Sequence, residues 1–180
     1  MRRYTVDDVM KWGPCYKRAR VAKLFGRRRS VTLVDMLSSE RVTCADAVWC
    51  ACHAMNDRQR RHFACDCAES VLHLARNPVF AGCLATARRY ADGAATGEEI
   101  SKTDEEIRKA VSTATDAWLY STGSCATVSA CAAVARACNS DTCATVCLAA
   151  GCAVIAAGET DERETQRQAL LMLALAGVIQ

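Results

Sequence analysis

The feature that most constrains this chain is its punctuation. A short polar residue followed three positions later by an acid or an amide recurs at Thr43/Asp46, Asn56/Gln59 and Thr96/Glu99. At that spacing a helix start satisfies its first free amides through reciprocal side-chain hydrogen bonds. Stops alternate with these starts. Thr5 opens a short helix through Met10 that Trp12-Gly13-Pro14 breaks. An amphipathic helix over 18–25 closes at Gly26, expected as a left-handed C′ residue. Ser30 is expected to cap a helix over 31–37. Longer helices are expected at 43–55, 56–76, 79–92 and 96–120, with Asn77-Pro78 and Gly93 as breaks. Three more are expected at 124–138, 142–157 and 162–178, the last capped by Thr160 or Asp161.

No segment alternates polar and apolar residues long enough to specify a strand. Only two prolines and nine glycines interrupt 180 residues. The apolar half of the chain is mostly Ala, Val, Leu and Cys, since aromatics make up only 6%. Alanine orders into helix at the lowest cost. The expected fold is all-α, a multi-helix bundle or helical-hairpin array with alanine- and cysteine-rich C-terminal helices. Its N-terminal region covers residues 1–97 and its small-residue-rich C-terminal region 98–180, packed as one domain. The tetrapeptide CATV at 125–128 returns at 143–146, an offset of five helical turns, and points to a weak helix-hairpin repeat.

Thirteen cysteines invite a disulfide framework. The odd count leaves at least one thiol unpaired. The basic start is followed by no apolar stretch of a secretory signal, and a chain of this size needs no staples. In alanine-rich helical text, Cys acts as a small hydrophobe. A reducing cytoplasm is the expected setting. The uncharged run at 143–158 and the apolar run at 169–179 are both shorter than the roughly 20 residues a membrane span needs, so no membrane association is expected.

Charge is uneven. Residues 1–30 hold ten basic side chains against Asp7 and Asp8, so that stretch carries +8 and the remainder −5 of a net +3. Such a head suits phosphates or an acidic protein, and equally a solvated surface. Trp12 and Tyr16 are interleaved with Lys11, Lys17 and Arg18. The rings either stack on a ligand or anchor the first helix to the core.

Among groups that carry chemistry, Cys50 and His53 lie three apart on one expected helix, and His62 and Cys65 repeat the spacing on the next. A short connection at 55–57 would run the two helices antiparallel. The four ligands would then converge as zinc requires. The spacing is that of no finger or ribbon, and the competing reading is packed core thiols with a surface histidine. Cys-Ala-Cys at 50–52 and Cys-Asp-Cys at 65–67 point their sulfurs about 200° apart on a helix, so neither triplet chelates alone. A Cys65 or Cys67 nucleophile with His62 or His73 as base lacks an orienting group and an oxyanion site. There is no phosphate-cradling glycine loop and no metalloprotease or hydrolase signature. No enzymatic activity and no resident cofactor are expected, zinc at the Cys/His set being the alternative.

Three motifs carry a resemblance. Met10-Lys11-Trp12-Gly13-Pro14-Cys15 is followed by Leu24-Phe25-Gly26 and the 31–37 stretch. Phe63-Ala64-Cys65-Asp66-Cys67-Ala68-Glu69 is the second motif. Ala87-Arg88-Arg89-Tyr90-Ala91-Asp92-Gly93-Ala94-Ala95-Thr96 is the third. Together they resemble an immunity-protein family of bacterial polymorphic-toxin systems and phages, over roughly residues 5–100. The C-terminal half is similar only in its alanine-rich style, with Cys, Thr and Val where the family carries Trp and Arg. The resemblance implies an all-helical protein that binds and blocks a cognate toxin, with no catalytic residues to carry over.

The first functional expectation is therefore a stoichiometric toxin inhibitor contacting its partner through Trp12, Arg88, Arg89, Glu98 and Glu99. The acidic start of the helix at 98–109 suits a basic toxin, the basic head an acidic one. A second expectation is a phage-encoded anti-defence protein that sequesters a nucleotide signal or a defence protein, using Arg88 and Arg89 with the basic head. A third is a metal or redox sensor built on Cys50, His53, His62 and Cys65. Small-residue helices also suit self-association.

Overall fold

The computed structural model describes residues 2–74 and 77–119 together with Cys152. The helices expected at 124–138, 142–157 and 162–178, the CATV echo, and the runs at 143–158 and 169–179 lie outside the described residues, Cys152 apart. The described chain is all-α in class: seven helices and one two-stranded ribbon. It falls into two compact units, one within Met1–Met55 and the other within Asn56–Arg163. The division comes at 55/56, inside the expected N-terminal region, whereas the helices flanking the expected 97/98 boundary pack on each other.

The first unit opens with strand β1 (Arg3–Thr5) and helix α1 (Val6–Lys11), then α2 (Arg18–Phe25), β2 (Ser30–Thr32), α3 (Leu33–Leu37) and α4 (Cys44–Ala54). The strands pair antiparallel, with Tyr4 opposite Val31. Both of these side chains are buried while their strand neighbours face outward. Each strand ends on a threonine that caps the next helix. Thr5 Oγ1 accepts from the Asp8 amide, and the Thr5 amide donates to Asp8 Oδ2 at 2.9 Å. Thr32 and Asp35 repeat the arrangement, with the Thr32 amide donating at 2.8 Å.

Here the expectation is corrected. Ser30 caps nothing; it lies in β2, where its Oγ accepts from Arg3 Nε at 2.9 Å. The start signal belongs to Thr32 with Asp35, the same three-residue spacing seen elsewhere in the chain. The expectation of no strand is corrected too. Three-residue strands are too short to show alternation, and their pairing places a single buried side chain from each. Gly26 has positive φ as expected, but its φ of 63° and ψ of −126° lie outside the left-handed helical region. The core of this unit gathers Tyr4, Val21, Leu33, Leu37, Ala51 and Cys52.

The second unit runs through α5 (Asp57–Ser70), a 3-10 turn (Leu72–Leu74), α6 (Val79–Ala91) and α7 (Gly97–Leu119). Asn56 and Gln59 form the capping box of α5, and Thr96 with Glu99 forms the equivalent pair at α7. α5 stops at Ser70, short of the expected Arg76, and the chain tightens into the 3-10 turn. α6 packs on both α5 and α7. Its buried face carries Phe80, Cys83, Leu84, Ala87 and Ala91. α5 answers with Phe63, Ala64, Cys65, Cys67 and Ala68, and α7 buries Thr103, Ile107 and Ala110.

Burial on α5 spans both members of the Cys-Asp-Cys triplet, and on α4 both members of Cys-Ala-Cys. A helix buried over so wide an arc admits small side chains where large ones would hold its neighbours off. None of the eight cysteines among the described residues is in a disulfide, and five of the eight are buried. Among the described residues no helix is long and apolar enough to cross a membrane.

Candidate functional site

In the first unit α1 ends at Lys11, and its C-cap residue Trp12 turns an indole toward α4. On α4, Trp49 and His53 are one helical turn apart and share a face. The three rings form one cluster. The His53 imidazole stacks on the Trp12 indole with ring centres 5.2 Å apart and planes 5° from parallel. Trp49 meets His53 edge-on at 4.4 Å and Trp12 at 5.9 Å. Beneath them the buried Tyr4 ring takes the Trp12 edge at 5.1 Å. Arg2, exposed, lays its guanidinium over Tyr4 at 5.2 Å.

Trp12, Trp49 and His53 are each half-buried, so the cluster is both a closing plug on the unit's core and a ring-lined part of its surface. Packed against one another, these side chains give up little conformational freedom on meeting a partner, while offering large apolar area with polar N–H edges. Burial raises the Tyr4 hydroxyl above its ordinary ionisation range, so it stays protonated at neutral pH.

Trp12 was legible in the sequence. Trp49 and Tyr4 were not singled out; the signal for Trp49 was its position four residues before His53 on an expected helix.

The other expected contact residues lie in the second unit, where they pair within it. Arg88 on α6, half-buried, donates to Asp66 Oδ1 at 2.8 Å and also pairs with Glu69, both on α5. Arg89 donates to Glu99 Oε1 at 3.0 Å and to the Ala94 carbonyl. Glu99 also accepts from the Thr96 amide, and these bonds hold its carboxyl below the ordinary range, the amide contributing most. Glu98 is exposed in the first turn of α7.

The same seam gathers Asp92, which accepts from Arg58 at 2.6 Å and meets His62 Nε2 at 3.1 Å. The Arg61 guanidinium covers the Tyr90 ring at 4.6 Å. The second and third resemblance motifs are thus the two sides of the α5–α6 interface. Ala64, Cys65, Cys67 and Ala68 of the one and Ala87 and Ala91 of the other face in, and Arg88 pairs with Asp66 and Glu69 across the rim.

The four expected metal ligands divide between the two units. Cys50 is buried in α4 and His53 is in the ring cluster of the first unit. In the second unit His62 meets Asp92, and Cys65 is fully buried. Burial pushes the Cys65 thiol up to about 12, with the nearby Arg88 only partly offsetting it. A thiol so placed holds its proton at neutral pH, whereas the thiolate is the reactive form. Cys83 is likewise pushed up to about 11 by burial. Among the described residues no three His, Cys, Asp or Glu side chains gather where a metal ion could be held.

Compared with protein-family models, curated proteins and solved structures, the chain matches none.

Proposed function

We propose that this protein is a stoichiometric immunity protein, binding and neutralising a protein toxin without catalysis. The reading rests on the half-buried cluster of Trp12, Trp49 and His53. Protein interfaces draw most of their affinity from a few tightly packed anchors, and Trp, Tyr and Arg dominate that set. The Trp12 indole stacked on the His53 imidazole, with the Trp49 indole edge-on to both and the exposed Arg2 and Lys11 alongside, is such an anchor, and its basic border favours an acidic toxin surface. The motif resemblance points the same way, because its first motif contains Trp12.

Sequestration of a nucleotide signal or a defence protein is a competing reading, resting on Arg88 and Arg89 with the basic head. Arg88 and Arg89 already pair with carboxylates of their own unit, which takes from that reading the two residues it needs beyond the basic head.

The test is rescue of growth. Toxins encoded beside this gene are expressed with the parent protein and with a Trp12→Ala/Trp49→Ala variant whose thermal unfolding is checked first. The parent restores growth and the folded variant does not. Growth restored equally by both, or by neither against any neighbouring toxin, would sink the reading.

A further inference from the structure

We propose that the outer face of α2 and the segment after it bind the phosphate backbone of duplex nucleic acid. Lys17, Arg20, Lys23, Arg27 and Arg29 are all exposed, and among the described residues none pairs with a carboxylate. Arg18 and Arg28, interspersed with them, are matched by Asp7 and Asp35 and are not counted. Arg41 adds a sixth cation at the end of α2. Its Nη1 lies where a side-chain carbon on Gly26 would meet it at 3.1 Å. Arg20 lies over the Tyr16 ring at 4.2 Å.

Two observations choose the partner. The cations follow one another at 17, 20 and 23 along α2 from its N-cap and at 27 and 29 in the segment after it, a spread that matches a line of charge better than a single anion. The eight residues of α2 rise about 12 Å, a length over which duplex DNA carries about seven phosphates. The face also lacks what a protein interface needs. Its exposed apolar side chains are Ala19 and Ala22, while Val21 and Phe25 are buried beneath. With no apolar anchor the face has little to offer a folded protein, and much to offer a polyphosphate whose counterions it displaces. Arginines outnumber lysines here, and the planar guanidinium suits phosphate oxygens best. None of these cations belongs to the ring cluster, and the proposal stands or falls independently of toxin binding.

The experiment is fluorescence anisotropy of the full chain with a labelled mixed-sequence DNA duplex. Micromolar binding is expected at about 50 mM salt. Counterions displaced by Lys17, Arg20, Lys23, Arg27 and Arg29 alone, Arg41 left aside, give a slope of log affinity against log salt near −4.5, a roughly 500-fold loss by about 200 mM. K17Q/R20Q/K23Q/R27Q/R29Q abolishes binding, and K102Q/R108Q/K109Q on α7 leaves it within about twofold. Should the five-site variant fail to fold, K23Q/R27Q lowers the slope by about two, one per cation. Absence of binding at low salt, a slope shallower than about −2, or parent-like binding by the folded variants would overturn the proposal. So would polyglutamate competing as well as unlabelled duplex, which would hand the face to acidic proteins.

Discussion

The imidazole of His53 lies flat on the indole of Trp12, 5.2 Å between ring centres and 5° from parallel. The contact joins the end of α1 to the last turn of α4. An aromatic pair contributes about 0.5–1.5 kcal/mol beyond the area it buries. In a double-mutant cycle of Trp12→Ala and His53→Ala, urea unfolding should therefore return a coupling of about 1 kcal/mol. A coupling near zero would mean that the rings are neighbours without being partners, and would remove the pre-stacked anchor on which the functional reading rests.

The corrected helix start makes a sharp contrast between two residues two positions apart. Thr32 accepts from the Asp35 amide, whereas Ser30 meets only Arg3 on an exposed ribbon edge. Loss of an N-cap costs about 1 kcal/mol; loss of an exposed side-chain contact stays within about 0.5 kcal/mol. Thr32→Ala should thus lower unfolding free energy clearly more than Ser30→Ala. The reverse order would restore Ser30 as the cap.

Why the sequence showed so much of the helical framework, and where it failed, follows from range. Capping is local: Thr5, Thr43, Asn56 and Thr96 each act within three residues, so these starts were readable, as was α2 from end to end. The β1–β2 ribbon joins Arg3 to Thr32, a pairing that no local pattern encodes. The ring cluster was half legible for the same reason. Trp49 and His53 share a helix face, but their meeting with Trp12 depends on how α1 and α4 pack. Arg88 and Arg89 looked like free surface charges because their partners Asp66 and Glu99 lie 22 and 10 residues away in sequence.

Thiol chemistry should separate the cysteines sharply. Cys15 is exposed, while Cys65 is buried with its thiol pushed up to about 12. Thiolate is the reactive form, so alkylation of the native protein followed by peptide mass spectrometry should label Cys15 at least ~100-fold faster than Cys65. Denaturant should erase the difference. Rapid native labelling of Cys65 would show that α5 does not bury this residue against its neighbours.

Acid should weaken the first unit through its two capping boxes. Asp8 and Asp35 are both held below the ordinary carboxylate value of 3.8, chiefly by the backbone amides of Thr5 and Thr32. A carboxyl whose folded-state pKa is depressed adds stability that is complete above its unfolded value. That stability erodes as pH falls below 3.8 and is gone beneath the folded value. Unfolding free energy measured from pH 6 downward should fall through that window. Asp8→Asn/Asp35→Asn should be less stable at pH 6 and show a flatter decline. A decline as steep in the variant as in the parent would assign the acid sensitivity to other groups.

Arg88 decides what the strongest sequence motifs are for. As a partner contact it would matter to neutralisation and not to folding. Its bonds to Asp66 and Glu69 instead tie α6 to α5, and its stem is half-buried at that seam. The carboxylates are more than half exposed, so solvent screening keeps the pairing to about 1 kcal/mol. Loss of stem packing adds to it. Arg88→Ala should therefore lower unfolding free energy by about 1–2 kcal/mol. Arg88→Met, which keeps the stem, should recover part of that loss. Neither change should reduce growth rescue while the protein remains folded, in contrast to Trp12→Ala/Trp49→Ala. Abolished rescue with unchanged stability would move the binding surface from the ring cluster to the α5–α6 rim.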